Sequence, residues 1–137
     1  MNKMIFVNLP VRDLPKAKAF YEAIGAVNNP QFTDETGACM VFSEAIYVML
    51  LAHGKWASFT KKPIPDAHVT CEVMLAISAE SREAVSAMAD AAARAGGVAD
   101  INPSQEHGFM FSRSFEDLDG HVWEPYWMDM GSLPAQA

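Results

Sequence analysis

Apolar and polar positions alternate from Met4 to Val11, with Ile5, Val7 and Leu9 on one face and Met4, Phe6 and Asn8 on the other. A period of two predicts a strand. The period then changes. Ala17, Phe20, Tyr21 and Ile24 recur at helical spacing behind Asp13, a candidate N-cap, with Pro15 in the first turn. Gly25 supplies the stop. After a turn at Asn28-Asn29-Pro30, strands are predicted at about 31–35, 38–43 and 46–52. Residues 70–77 begin the pattern again, splitting Val73, Leu75 and Ile77 from Glu72, Met74 and Ala76. Ser78 or Ser81 caps a helix running to about Ala95, with Val85, Met88 and Ala92 as its stripe and Gly96-Gly97 as its end. Strands near 98–101, 109–114 and 121–127 follow. Asp119-Gly120 is the hairpin signal, since both residues tolerate positive φ.

The chain therefore reads as an internal repeat. The expected fold is α+β: two tandem βαβββ modules forming a curved, half-open barrel-like sheet around a concave cleft. One domain spans 1–137, with module one at about 1–53, a linker at about 54–68 and module two at about 69–130. Two prolines and two aromatic residues in the linker suggest an ordered crossing or a lid rather than a flexible tether.

Half of the 137 residues are hydrophobic, so a sizeable core is available. The net charge of −7 comes without a basic stripe, which argues against nucleic-acid binding. No apolar run reaches the roughly 18–20 residues that span a bilayer. Met1-Asn2-Lys3 leads into a strand pattern rather than a signal peptide, so a cytoplasmic location without membrane partners is expected. Cys39 and Cys71 make no disulfide framework, and both read as small buried hydrophobes. No glycine-rich phosphate loop is present.

The run Leu9-Pro10-Val11-Arg12-Asp13-Leu14 with Phe20-Tyr21 and Gly25, and the run Ser114 to Glu124 through Asp119-Gly120, carry a family resemblance. The chain resembles the vicinal oxygen chelate superfamily of glyoxalases, bleomycin- and fosfomycin-resistance proteins and extradiol dioxygenases. In metal-dependent members, the first and last strand of each module supply one ligand each. Carried over, the resemblance places those slots at Phe6, Met49, Glu72 and Glu124. Phe cannot coordinate, and a Met thioether suits none of the hard or borderline divalent ions. The resemblance also implies a homodimer.

Glu72 and Glu124 are the sharpest candidates, as metal ligands or as a catalytic acid/base pair; two carboxylates in one cleft push one pKa up. Their alternative is an ion pair that closes the barrel, with Arg113 as partner. His107 is a weaker candidate ligand at the cleft mouth. His121, of opposite parity to Glu124, is expected to face away, and His53 and His68 to lie on the surface. Phe6, Tyr47, Met49, Leu51, Met74 and Tyr126 share the inward parity, with Asn8 beside Phe6 and Arg113 on the strand next to Glu124. They form either a pocket wall or a filled core. Trp123 and Trp127 fall on the opposite face. The favoured function is binding of a small organic ligand in the cleft without a complete metal-ligand set. The alternative is a glyoxalase I-like lyase using Ni, Mn, Fe(II) or Zn, with an extradiol dioxygenase third.

Overall fold

A computed structural model describes residues 2–132; residue 1 and residues 133–137 of the expected domain lie outside that range. Module one opens with β1 (Ile5–Val11), α1 (Leu14–Ala23) and β2 (Val27–Asn29). A short 3-10 turn at Pro30–Phe32 follows, where a strand was expected, then β3 (Gly37–Val41) and β4 (Ile46–Ala52). The linker folds in part as α2 (His53–Phe59), before β5 (Met74–Ser78) and α3 (Arg82–Arg94). The remaining strands are β6 (Val98–Ala99), β7 (Gln105–Glu106), β8 (Met110–Ser112), β9 (Phe115–Glu116) and β10 (Val122–Met128).

The two longer helices, α1 and α3, start where side-chain oxygens can replace missing backbone partners. Asp13 accepts from the Lys16 amide at α1, and Ser81 accepts from the Ala84 amide at α3. Gly25 ends α1 with φ at +112°, a conformation that L side chains rarely adopt.

Sheet one runs β1-β4-β3-β2, with β1 and β4 parallel. In sheet two, β10 pairs with β5 in parallel on one edge and with β9 and β8 antiparallel on the other. β6 and β7 lie outside β9 and β8. Sheet two therefore repeats the order of sheet one, with its two outer strands each broken in the middle. At the break, the Ser114 hydroxyl accepts from the Asn102 amide and donates to the Asn102 carbonyl. The result is an α+β fold with a strongly curled half-barrel sheet, as the pattern implied.

One face of each sheet is covered by helix, and the covered faces share one core. Leu9, Val48 and Leu50 of sheet one join Ile77, Phe115 and Trp123 of sheet two, with Phe20 and Tyr21 of α1 between them. Burying each such large side chain is worth roughly 1.5–3 kcal/mol. Inside this core the Tyr21 hydroxyl donates to Asp117 at 2.6 Å and accepts from Trp123 Nε1 at 2.9 Å. Asp117 also accepts the amides of Asp119 and His121.

Candidate functional site

Cross-strand register decides which side chains share the uncovered faces. Phe6 lies opposite Tyr47, Asn8 opposite Met49 and Pro10 opposite Leu51. Glu124 lies opposite Ala76, and Tyr126 opposite Ser78 and Ser112. Within sheet one, Phe6, Asn8, Tyr47, Met49 and Leu51 thus share one face, and within sheet two Met74, Glu124 and Tyr126 do. Phe6 stacks on Tyr47 with centroids 4.3 Å apart and remains half exposed.

Between the modules lies a cavity of about 360 Å³. Asn8, Leu9 and Pro10 form the β1 wall; Trp56, Pro65 and Ala67 of the linker close it. Thr70 to Val73 and Leu75 enter from the start of module two, and Gly120, His121 and Val122 complete it from the start of β10. Most of this lining is apolar, with a few polar groups from Asn8, Thr70, Glu72 and His121. The His121 ring holds the wall together, since its Nε2 donates to the Pro10 carbonyl at 2.8 Å. Nearby, the Arg12 amide donates to Asp119 Oδ1 at 2.9 Å. A second hollow of about 240 Å³ lies on the open face of sheet one, over Asn8, Met49 and Leu51, with Lys55 and Phe59 of α2 at its rim. Asn8 belongs to both hollows.

The two candidate carboxylates differ in their place in the fold. Glu72 precedes β5 rather than lying within it, is exposed, and lines the junction cavity. Glu124 sits mid-strand in β10 and does not line that cavity. Arg113, expected in the pocket or paired with a Glu, lines none of these cavities and is a partner of neither Glu. Its guanidinium binds both carboxylate oxygens of Asp100, at 3.0 and 2.9 Å, and Asp90 at 3.1 Å, on the helix-covered side. This holds the Asp100 carboxyl below its ordinary range, chiefly through the Arg113 hydrogen bonds. Met74 is half exposed, its sulfur 3.7 Å from Asn102 Nδ2. His107 lies in the exposed β7–β8 turn with Nε2 3.3 Å from Gln105 Oε1, and lines none of these cavities.

Two further readings change. Cys39 is buried, and burial pushes its thiol pKa up, but Cys71 is exposed on the cavity wall. His121, read as facing away, lines the junction. Trp123 does pack inside, against Tyr21 at 6.1 Å, and Trp127 lies under the Arg82 guanidinium at 4.9 Å. Of this lining only Asn8 and Glu72 are among the candidates read from the sequence; among the missed residues, Trp56, Pro65 and Ala67 come from the linker and Cys71 from the entry to β5. Their only signal was the aromatic and proline content of the linker.

The donor set does not fit the divalent ion that the resemblance implies. Among the described residues no three His, Cys, Asp or Glu side chains come together as an ion-holding group. Phe6 and Met49 fill two of the four slots, and of Glu72 and Glu124 only Glu72 lines the junction cavity.

The model of the Glyoxalase/Bleomycin resistance protein/Dioxygenase superfamily matches residues 3–124. Among solved structures, a hypothetical protein from S. aureus superposes with a TM-score of 0.76 at 22% identity, covering 93% of this chain and 95% of that one. A glyoxalase-related enzyme from Fulvimarina pelagi gives 0.76 at 16% identity, covering 100% and 94%. The fosfomycin resistance protein FosX from Mesorhizobium loti gives 0.67 at 14% identity, covering 96% of each chain. At these identities the structures establish the fold. No curated protein matches the chain.

Proposed function

We propose, from the premise that this chain belongs to the Glyoxalase/Bleomycin resistance protein/Dioxygenase superfamily, that it binds a small organic molecule in the cavity at the junction of its two modules. The observation that carries this is the cavity itself. Its volume of about 360 Å³ falls in the range of small-molecule sites, and its apolar lining is interrupted by few polar groups. Trp56 and Pro65 supply a flat cover, Leu75 and Val122 an apolar floor, and Asn8, Glu72 and His121 the orienting groups.

Trp56 makes the reading testable, because Trp123 is buried in the core and Trp127 lies under Arg82. A small-molecule library is screened by thermal shift, and hits are titrated by tryptophan fluorescence. A hit is expected to change the emission of the wild type but not of Trp56→Phe. Val122→Trp fills the cavity and is expected to abolish binding while the far-UV spectrum stays native. Hits that survive in Val122→Trp, or a library without any hit, would overturn the proposal.

We also propose a homodimer. β1 and β5 are edge strands, and each carries a run of large exposed apolar side chains: Met4, Ile5 and Phe6 on the first, Val69, Val73 and Met74 on and before the second. Edges of this kind are templates for pairing.

A further inference from the structure

The junction cavity has a polar neighbour. A separate hollow of about 230 Å³ shares Pro10, Pro65, Ala67 and His121 with it, so the two adjoin along one wall. Its remaining lining is mostly ionisable: Arg12, His53, Asp66, His68 and Asp119.

Several of these groups are already engaged. His121 Nε2 donates to the Pro10 carbonyl. His68 is held by module two, its Nε2 3.2 Å from the Leu118 carbonyl and its Nδ1 3.4 Å from the Glu116 carboxylate. One carboxylate oxygen of Asp66 accepts the His68 amide, and one of Asp119 accepts the Arg12 amide. Among the described residues, that leaves the Arg12 guanidinium and the His53 ring without a side-chain partner. It also leaves the second carboxylate oxygens of Asp66 and Asp119 without one.

The free inventory is thus mixed, with donors from Arg12 and His53 and acceptors from Asp66 and Asp119. An anionic group here would face two carboxylates, and a cationic group would face a guanidinium. A neutral hydroxyl donates and accepts at once, so it satisfies both sets without adding charge. We propose that this hollow is a head-group subsite for a polyhydroxylated moiety, and that the ligand of the junction cavity is an apolar or aromatic body carrying such a head. The proposal rests on the small-molecule reading of the junction cavity and specifies its ligand.

Four probes with one apolar body and different heads test it: phenyl β-D-glucopyranoside, phenyl phosphate, 2-phenylethylamine and phenol. Each is titrated against the full-length protein by calorimetry. The glucoside is expected to bind about tenfold more tightly than phenol, the scale of one net hydrogen bond. Arg12→Met and His53→Ala are each expected to remove most of that advantage and leave phenol affinity unchanged. Arg12→Met keeps the backbone amide that Asp119 binds, so it does not unlatch the junction. Tightest binding of the phosphate or of the amine would overturn the proposal in favour of a charged head, and a glucoside no better than phenol would remove the subsite. If phenol binds and the glucoside advantage is absent, the junction-cavity reading survives alone. If no probe binds, including phenol, both fall together.

Discussion

Tyr21 shows how much one side chain holds in this molecule. Its hydroxyl donates to Asp117 and accepts from Trp123, joining α1 of module one to β10 and its turn in module two. Removing it strands a buried indole N–H and takes a donor from a buried carboxylate. Tyr21→Phe is therefore expected to cost about 1–3 kcal/mol, the penalty of unsatisfied buried polar groups, read as a lower urea midpoint at unchanged slope. Asp117 itself behaves unlike most carboxylates. Burial raises its pKa, against the opposing pull of His121, the Tyr21 hydroxyl and the backbone amides. A raised folded-state pKa means that the Asp117 contribution is complete below the unfolded value near 3.8 and is lost as pH rises through the folded value. Asp117→Asn removes that dependence. The stability of wild type minus that of Asp117→Asn is expected to increase as pH falls from 7 towards 4, measured by urea midpoints. Asp34 and Asp100, whose carboxyls are lowered, push both proteins the other way and cancel in the difference. None of this network was legible in the sequence, because Tyr21 and Asp117 are 96 positions apart and only the packed modules bring them together.

The elements explain which residues could be read and which could not. Period-two alternation placed Glu124 and Trp123 on opposite faces of β10, and the pairing agrees. Arg113 went to the wrong face through a one-residue slip. Asp119-Gly120 as the centre of a two-residue turn would set Arg113 on the Tyr126 side. The actual turn spans one residue more. The Gly120 amide bonds to the Asp117 carbonyl, the Asp117 amide bonds to the His121 carbonyl, and only Gly120 takes positive φ, at +91°. That is a three-residue turn closed by a glycine bulge, and it moves Arg113 opposite Pro125, whose carbonyl accepts the Arg113 amide. The same glycine seats the linker. A Cβ on Gly120 would lie 2.5 Å from the His68 nitrogen and 2.6 Å from the Ala67 carbonyl carbon, both backbone atoms. Gly120→Ala is expected to destabilise by more than about 1 kcal/mol and to make the 60–72 segment cleavable in limited proteolysis, while the wild type resists. α2 falls in the segment read only as an ordered crossing or a lid, since it is seven residues long and its N-cap, Ala52, offers no side-chain cap.

At the scale of the whole molecule, the repeat was the most legible feature, because each module needs the same alternation, helix stripe and closing strands. The junction cavity was less so: it arises where the copies differ, in the linker, the entry to β5 and the turn before β10. The same geometry leaves two strand edges open. β1 has β4 on one side only, and β5 has only β10. Ile5 and Val73 are both more than half exposed; no charged side chain interrupts β1 between Met4 and Leu9, while Glu72 stands beside Val73. Monomeric proteins usually blunt such edges with charge, Pro or a bulge, and here Pro10 blunts only the far end of β1. Pairing across two copies would cover both edges at once through a closed twofold contact, so each chain would use the same surface. Sedimentation equilibrium is expected to give twice the 15.0 kDa chain mass. Ile5→Lys and Val73→Lys each place a charge on one edge, and either is expected to shift the mass towards that of one chain. Because Ile5 and Val73 make no contribution to the shared core, the variants should keep the far-UV spectrum of the folded protein. A wild type that sediments as a single chain at high concentration would overturn the dimer and leave each junction cavity to be served by one chain alone.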